Sequence, residues 1–148
     1  MSLPPGRRLG PYEIVSPLGA GGMGEVLKAK DTRLQRTVAV KVLPSELSSD
    51  AERRSRFERE AHAASALNHP NITTVFDIGQ DEGTHDIVME LVEGKTLRAL
   101  MDEGPVSTET MLPHATQIAE GLSKAHAAGI VHRDLKPENL MVSEDGLV

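Results

Sequence analysis

Cysteine and tryptophan are absent from the 148-residue sequence, and its aromatic residues are limited to one tyrosine and two phenylalanines. The lack of cysteine excludes disulfide bonds and is compatible with a cytoplasmic protein, which is the location we expect. Because aromatic side chains are scarce, any hydrophobic core has to be built from leucine, valine, isoleucine, alanine and methionine.

Long apolar runs are missing too: no stretch approaches the roughly 18 residues of a membrane span, and residues 1–8 lack the apolar segment of a signal peptide. We therefore expect no membrane segment in this chain. The formal net charge of −6 gives no basic surface, which argues against a nucleic-acid partner. With 39% hydrophobic and 26% charged residues, the chain has the composition of an ordinary globular domain.

A dense polar segment lies near the end of the sequence, at residues 132–139, between the apolar pairs Ile130-Val131 and Leu140-Met141. Pro137 removes a backbone donor and disfavours helix at the residue before it, so we predict a fixed loop rather than a helix face. A rigid loop between buried anchors can present an acid, a cation and an amide to one point in space.

The order of residues in this loop carries a family resemblance. His132-Arg133-Asp134-Leu135, followed by Lys136 and Asn139, resembles the catalytic loop of protein kinases. The sequence Asp-Leu-Lys-Pro-Glu-Asn at residues 134–139 resembles that of the serine/threonine kinases rather than that of the tyrosine kinases.

A second motif lies near the N-terminus, where Gly19, Gly21, Gly24 and Val26 match the pattern G-x-G-x-x-G-x-V. Backbone N–H groups in such a loop can cradle phosphate oxygens. A dinucleotide-binding oxidoreductase would need a helix directly after the glycines, but residues 25–30 alternate polar and apolar and predict a strand. A strand, a glycine loop and a second strand resemble the nucleotide flap of kinases.

A lysine and a helix follow the flap. Residues 37–43 are β-branched and apolar around Lys41, which predicts a strand that carries a cation. Residues 51–67 predict a helix, capped by Ser48 or Ser49. Burying an ammonium is costly unless it is paired, and the resemblance implies a glutamate from this helix as the partner.

Glu60 is the glutamate we favour, because it lies nineteen residues after Lys41 and at the edge of the apolar helix face. Glu52 and Glu58 are the alternatives. Residues 73–79 and 85–92 predict two more strands, and residues 93–95 resemble the hinge of the family.

Two helices are predicted after the hinge. The first begins at Thr96, and the second is capped by Ser107 and ends at Gly129. The second helix carries an apolar stripe of core type, and we expect part of that stripe to be exposed in this chain. The stripe consists of Leu112, Ala115, Ile118, Ala119, Leu122 and Ala125.

The resemblance implies roles for individual residues. Asp134 accepts the proton of a substrate hydroxyl, Lys136 offsets charge on the transferring phosphoryl group, and Asn139 ligates Mg²⁺. Lys41 holds ATP phosphates and pairs with Glu60. The positions implied in ATP binding are Leu18, Gly19, Ala20, Gly21, Gly22, Met23, Gly24, Val26, Ala39, Lys41, Met89, Glu90, Val92, Asn139 and Met141.

The implied fold is α+β and protein-kinase-like: a five-stranded antiparallel sheet with one main helix, followed by an incomplete, mainly helical lobe. We expect an irregular lead-in at residues 1–11, the ATP-binding lobe at 12–92, and the hinge and partial second lobe at 93–148. The sequence contains no Asp-Phe-Gly, the family motif whose Asp holds Mg²⁺.

The resemblance therefore implies a bacterial-style, ATP- and Mg²⁺-dependent serine/threonine protein kinase that acts on protein hydroxyls and is cut before that motif. We expect this chain alone to be an inefficient catalyst. The alternative is a non-catalytic nucleotide-binding or scaffold module with half a kinase fold.

Overall fold

The computed structural model describes residues 3–21, 24–43, 46 and 49–148. The chain divides into two compact units: Met1–Ala66 with Thr74–Leu91, and Leu67–Thr73 with Val92–Val148. We refer to them as the sheet unit and the loop unit.

The sheet unit is built on six antiparallel strands in the order β1-β2-β3-β4-β6-β5. The strands are β1 Arg8–Leu9, β2 Tyr12–Gly21, β3 Gly24–Asp31, β4 Arg36–Leu43, β5 Val75–Asp81 and β6 Thr84–Glu90. Five of them are the predicted strands. The two residues of β1 lie in the lead-in that the sequence predicted to be irregular, where Arg8 pairs with Glu13 and Leu9 with Tyr12.

Helix α1, Ala51–Ser65, follows β4 and begins at Asp50, whose side chain accepts from the backbone N–H groups of Glu52 and Arg53. The prediction of a serine cap was therefore wrong. An aspartate directly before the first turn satisfies two free N–H groups and adds negative charge at the positive end of the helix. Ser49 instead donates its hydroxyl to the Glu46 carbonyl at 3.0 Å.

Two apolar clusters lie on opposite faces of the sheet, because side chains alternate along each strand. One is built from β1 to β4 and β6 and includes Leu27, Val40 and Val88. The other joins Phe57 and Ala61 of α1 to the sheet face that carries Leu43 and Ile87. Aliphatic residues dominate both clusters, as the composition predicted.

The loop unit contains two paired strands and two helices. Strand β7, Gly94–Thr96, is antiparallel to β8, Met141–Ser143, while helices α2, Leu97–Asp102, and α3, Thr108–Ala127, lie between them in the chain. Ser107 caps α3 as predicted, and Thr96, which was predicted to be the first residue of the shorter helix, is the cap of α2. A 3-10 turn at Pro137–Asn139 precedes β8.

Helix α3 buries little of its apolar stripe. Its buried residues are His114 and Gly121, whereas Leu112 is 62% exposed. The expected exposed apolar patch is therefore present. Within the described ranges, no helix combines the length and apolar character needed to cross a membrane.

Polar contacts join the other parts of the loop unit to α3. Asn71 donates its amide to Gln117 at 3.0 Å and to the Val148 carbonyl at 2.8 Å. Gln117 also accepts from the Val148 backbone at 2.9 Å and donates to the Gly146 carbonyl at 3.3 Å. One glutamine thus ties the segment after α1 and the turn after β8 to the same helix.

Candidate active site

The polar loop of the loop unit brings three of the predicted site residues together. The Asn139 amide nitrogen donates to the Asp134 carbonyl at 2.8 Å and to Asp134 Oδ2 at 3.3 Å. Lys136 Nζ lies 3.3 Å from the same Oδ2. All three side chains are accessible, so an acid, a cation and an amide are presented at one point.

Local sequence explains this geometry. Pro137 occupies the first position of the 3-10 turn, where its missing N–H costs no hydrogen bond. The Asn139 N–H donates to the Lys136 carbonyl at 2.9 Å, which closes the turn. Arg133 has a φ of 67°, a left-handed conformation that is strained for a non-glycine residue. The His132 ring supports the bend, because its Nδ1 accepts from the Asp134 N–H at 3.2 Å.

A clamp from helix α2 holds the other side of the turn. Arg98 Nε donates to Glu138 Oε1 at 3.1 Å. The pKa of Glu138 is lowered, first by the hydrogen bond from its own backbone N–H and then by Arg98. The sequence reasoning missed this clamp, since forty residues separate Arg98 from Glu138 and no local pattern connects them.

In the sheet unit, strand register gathers several predicted ATP positions on one face. Lys41 of β4 lies opposite Val26 of β3 and Ile87 of β6, and Ala39 lies opposite Met89. Cross-strand partners project to the same side of a sheet. Lys41 is half-buried there.

The glycine loop connects β2 to β3 beside this face. Gly19 lies opposite Val26 in the ladder, and a Cβ added at Gly19 would meet no atom within 4 Å. Leu18 is exposed, while Gly22 and Met23 lie outside the described residues. The backbone of Ala20 and Gly21 belongs to β2 and that of Gly24 to β3.

The remaining positions predicted to bind ATP lie at the end of β6 and in the loop unit. The Glu90 N–H already donates to the Thr74 carbonyl at 2.8 Å. Val92 is half-buried outside any helix or strand, and Met141 lies opposite Thr96 in the β7–β8 ladder. The hinge predicted at 93–95 is therefore partly a strand.

Lys41 and Glu60 are not joined. Glu60 is exposed, and among the residues the structure describes no ion pair or hydrogen bond connects it to Lys41. The alternative Glu58 is less exposed and has its Oε1 3.4 Å from Nδ1 of His85. The Lys41–Glu60 pair stays a prediction.

The loop residues fit a magnesium nucleotide. With its nitrogen committed to Asp134, the Asn139 amide leaves its oxygen as a ligand atom, beside the Asp134 carboxylate. Oxygen atoms of this kind are what Mg²⁺ prefers. No cluster of three metal-type side chains occurs among the described residues, so a bound Mg²⁺ would also need oxygens from water and from substrate phosphates, as is usual for this ion.

Two cavities of the loop unit lie away from these residues. A cavity of about 280 Å³ in the loop unit is lined by side chains from α2, α3 and the segment between them, including Leu97, Val106 and His114. None of the predicted site residues lines it. The site described above is identified by side-chain chemistry rather than by concavity.

The model of the protein kinase domain matches residues 12–148. The chain belongs to the protein kinase family. It is 46% identical over 138 residues to a probable serine/threonine-protein kinase of Clostridium acetobutylicum, covering 93% of this chain and 21% of that protein. It is 41% identical over 143 residues to the serine/threonine-protein kinase PrkC of Bacillus subtilis, covering 95% of this chain and 22% of PrkC.

A solved structure supports the fold. The PknI kinase domain of Mycobacterium tuberculosis superimposes with a TM-score of 0.86 at 32% identity, covering 99% of this chain and 59% of that one. The chain therefore spans about a fifth of the length of these curated relatives and about three-fifths of the solved kinase domain.

Proposed function

We propose that this chain provides the ATP-binding lobe and the catalytic loop of an ATP-dependent serine/threonine protein kinase that acts in the cytoplasm on protein hydroxyl groups. The observation that supports this most directly is the grouping of Asp134, Lys136 and Asn139 in one accessible loop. The names of the similar bacterial proteins support the serine/threonine class. The net charge of −6 gives no support for a nucleic-acid substrate.

In the proposed reaction, the substrate hydroxyl oxygen attacks the γ-phosphorus of ATP while the bond from that phosphorus to the ADP oxygen breaks. Asp134 orients the hydroxyl and accepts its proton, and Lys136 offsets negative charge on the phosphoryl group in transfer. Asn139 holds the Asp134 backbone and side chain in place and offers its amide oxygen to Mg²⁺. Bound Mg²⁺ neutralises phosphate charge.

Lys41 is the residue we propose to hold the ATP phosphates. It lies on the sheet face that also carries Val26, Ala39 and Met89, which supply apolar surface for the adenine. The glycine loop at one end of this face can approach phosphate oxygens because Gly19 has open space where a side chain would be.

Nucleotide binding tests the proposal with this chain itself. We expect the 148-residue chain to bind a non-hydrolysable ATP analogue with Mg²⁺, measured by calorimetry, and Lys41→Met to weaken binding at least roughly tenfold, since a charge-assisted contact to phosphate contributes about 1.5–3 kcal/mol. Lys30→Met is the matched control, because Lys30 follows Val26 and Lys28 on the same sheet face but is exposed at the end of β3.

The dependence of nucleotide affinity on Mg²⁺ provides a second test of the proposed function. Asn139→Ala should reduce the gain in affinity that Mg²⁺ gives, while the affinity without Mg²⁺ changes little. Equal affinity for the analogue in the wild-type chain, Lys41→Met and Lys30→Met would contradict the proposal. Binding without phosphoryl transfer by any longer form of the protein would favour the non-catalytic module.

A further inference from the structure

The cavity between helices α2 and α3 of the loop unit has room for a small molecule. Its volume is about 280 Å³. The apolar part of its wall consists of Leu97 and Leu100 of α2 and of Pro105 and Val106 of the connection to α3. An apolar cavity of about 150 Å³ inside a protein can hold a benzene molecule. The cavity of the loop unit is therefore large enough for a molecule of one or two rings.

One polar side chain of the wall lacks a hydrogen-bond partner. His114 of α3 lines the cavity and is 8% exposed. Its Nδ1 is buried, and within the described ranges neither nitrogen of the ring takes part in a hydrogen bond. A buried polar group without a partner is destabilising, and in a folded protein it indicates a missing water, ion or ligand.

The other polar groups of the wall are already engaged with one another. The Ser107 hydroxyl oxygen accepts from the Thr110 N–H at 3.3 Å and lies 3.0 Å from the Thr110 hydroxyl. Among the described residues that form the wall there is no lysine, arginine, aspartate or glutamate. A charged ligand would meet no opposite charge there, and burying an unpaired charge is costly. The wall therefore favours a neutral ligand that bonds to His114.

We propose that this cavity is a binding site for a small, neutral, largely apolar molecule that carries one hydroxyl group, of the size and kind of a substituted phenol. The apolar body packs against Leu97, Leu100 and Val106, and the hydroxyl group bonds to a ring nitrogen of His114. A hydroxyl group both donates and accepts, so it suits a ring nitrogen with or without a hydrogen. The wall shares no residue with the proposed ATP site, and the inference does not depend on the proposed function.

Helix α2 connects the cavity to the candidate active site. The Leu97 side chain belongs to the wall, while the Leu97 N–H donates to the Leu140 carbonyl at 2.8 Å. The next residue, Arg98, donates to Glu138 of the candidate loop. A ligand that binds the intact wall, and not the opened one, stabilises the intact wall by mass action. Occupation of the cavity therefore opposes any opening of α2 that breaks its contacts with the loop.

Titration of the 148-residue chain with para-ethylphenol, followed by NMR of the methyl groups, tests the site without nucleotide. We expect saturable shifts at Leu97, Leu100 and Val106. Shifts that do not saturate, or that occur at the exposed Leu112 in place of these residues, would overturn the proposal, because they describe adsorption to apolar surface. Binding below detection at the solubility limit of para-ethylphenol would overturn it too, since the cavity then holds only water.

His114→Phe tests the hydrogen bond, because phenylalanine keeps an aromatic ring of similar size without the nitrogens. We expect it to weaken binding of para-ethylphenol roughly three- to tenfold, the effect of one neutral hydrogen bond. Binding of ethylbenzene, which lacks the hydroxyl group, should not weaken. His126→Phe is the matched control, since His126 is an exposed histidine of the same helix. Equal losses for the two compounds, or no loss for either, would show that His114 does not recognise the hydroxyl group.

Val106→Phe gives a second variant that leaves His114 in place. The added ring fills the cavity and should abolish binding of both compounds, so undiminished binding would refute the location of the site.

Amide exchange provides a further readout. With para-ethylphenol at ten times its Kd, exchange of the Leu97 N–H should slow roughly tenfold. The Ala128 N–H, which donates to the Ala125 carbonyl at the other end of α3, should change less. Unaltered exchange at Leu97 under these conditions would contradict a ligand that binds against α2.

Discussion

Asp86 lies in an environment that disfavours its negative charge. It is 3% exposed on β6, between Val42 and Gly79 in the ladder. Burial raises its pKa from 3.8 to about 6, and the nearby Asp77 and Asp81 add to the shift. Gly79 makes the position possible, because a Cβ there would lie 2.8 Å from both carboxylate oxygens of Asp86.

The raised pKa predicts a pH-dependent stability. Between pH about 4 and 6 the folded state holds a proton on Asp86 that the unfolded state has lost, so the free energy of unfolding falls as pH rises through this window. Asp86→Asn removes the effect, and at pH 7 it should raise the free energy of unfolding by up to about 2–3 kcal/mol, with no gain below pH 4. Urea unfolding at pH 4, 6 and 7.5, followed by circular dichroism, measures it.

The control is Glu82→Gln, which makes the same carboxyl-to-amide change at an exposed residue paired with Arg7. Its effect should stay within about 1 kcal/mol at each pH, as for other surface pairs. The assignment would be contradicted if the difference in free energy of unfolding between the wild-type chain and Asp86→Asn were the same at pH 4 and at pH 7.5.

At the scale of elements, the pairing of β7 with β8 depends on one glycine. A Cβ added at Gly94 would overlap the Val142 carbonyl oxygen and lie 2.8 Å from the Ser143 Cα. Both contacts are backbone, so the strands have to separate to make room. Gly94→Ala should therefore destabilise the loop unit by about 1–3 kcal/mol or more, the usual range for an overpacked site.

Amide hydrogen exchange locates this effect. The Glu144 N–H, which donates to the Glu93 carbonyl at 3.3 Å, should lose protection in Gly94→Ala. Gly19→Ala provides the comparison, because Gly19 has free space at the Cβ position and no positive φ, and it should leave stability nearly unchanged. Retained protection at Glu144 would show that the two strands tolerate a methyl group.

These elements also show how far sequence reasoning reaches. Alternation and glycine spacing predicted β2 to β6, and the Ser107 cap predicted the start of α3, because those signals are local. The β7–β8 ladder and the Arg98–Glu138 clamp were not predicted. Each joins residues at least forty positions apart, and nothing in either segment alone specifies its partner.

The candidate site also has one part that local sequence predicted and another part that it did not. The order of residues in one loop was enough to predict that Asp134, Lys136 and Asn139 lie together. Whether Lys41 contacts Glu60 depends on the rotation of α1 about its own axis on the sheet. A separation of nineteen residues in the sequence does not determine that rotation. In the structure His85 Nδ1 lies 3.4 Å from Glu58 Oε1, a contact between a strand and a helix that no local pattern in the sequence predicts.

At the scale of the whole molecule, the exposed stripe of α3 predicts self-association. Leu112 is 62% exposed, and Ala115 and Ala119 on the same stripe are exposed as well. Contiguous apolar surface of this kind promotes association in water. We expect light scattering to show a mass that rises with concentration, and Leu112→Gln to reduce the rise, whereas Thr116→Gln should not.

Catalysis by the 148-residue chain gives the last test at this scale. The chain has Asp134, the proposed proton acceptor, and Asn139, the proposed Mg²⁺ ligand, but its sequence contains no Asp-Phe-Gly, whose Asp supplies a Mg²⁺ ligand in this family. Positioning and charge neutralisation provide most of the rate in phosphoryl transfer. Transfer of labelled phosphate from ATP to a general protein substrate should therefore be close to background, even where the chain binds the nucleotide.

The control for this assay is Asp134→Ala, which removes the proposed proton acceptor. If the wild-type chain turns over and Asp134→Ala does not, the metal ligands and the phosphate contacts on these two units suffice for transfer, and the expectation of an inefficient catalyst is wrong. If both give the same trace activity, that activity comes from a contaminant. Nucleotide binding with no transfer above that of Asp134→Ala is the result we expect, because we propose that binding uses the sheet face of Lys41, whereas transfer needs a complete set of metal ligands.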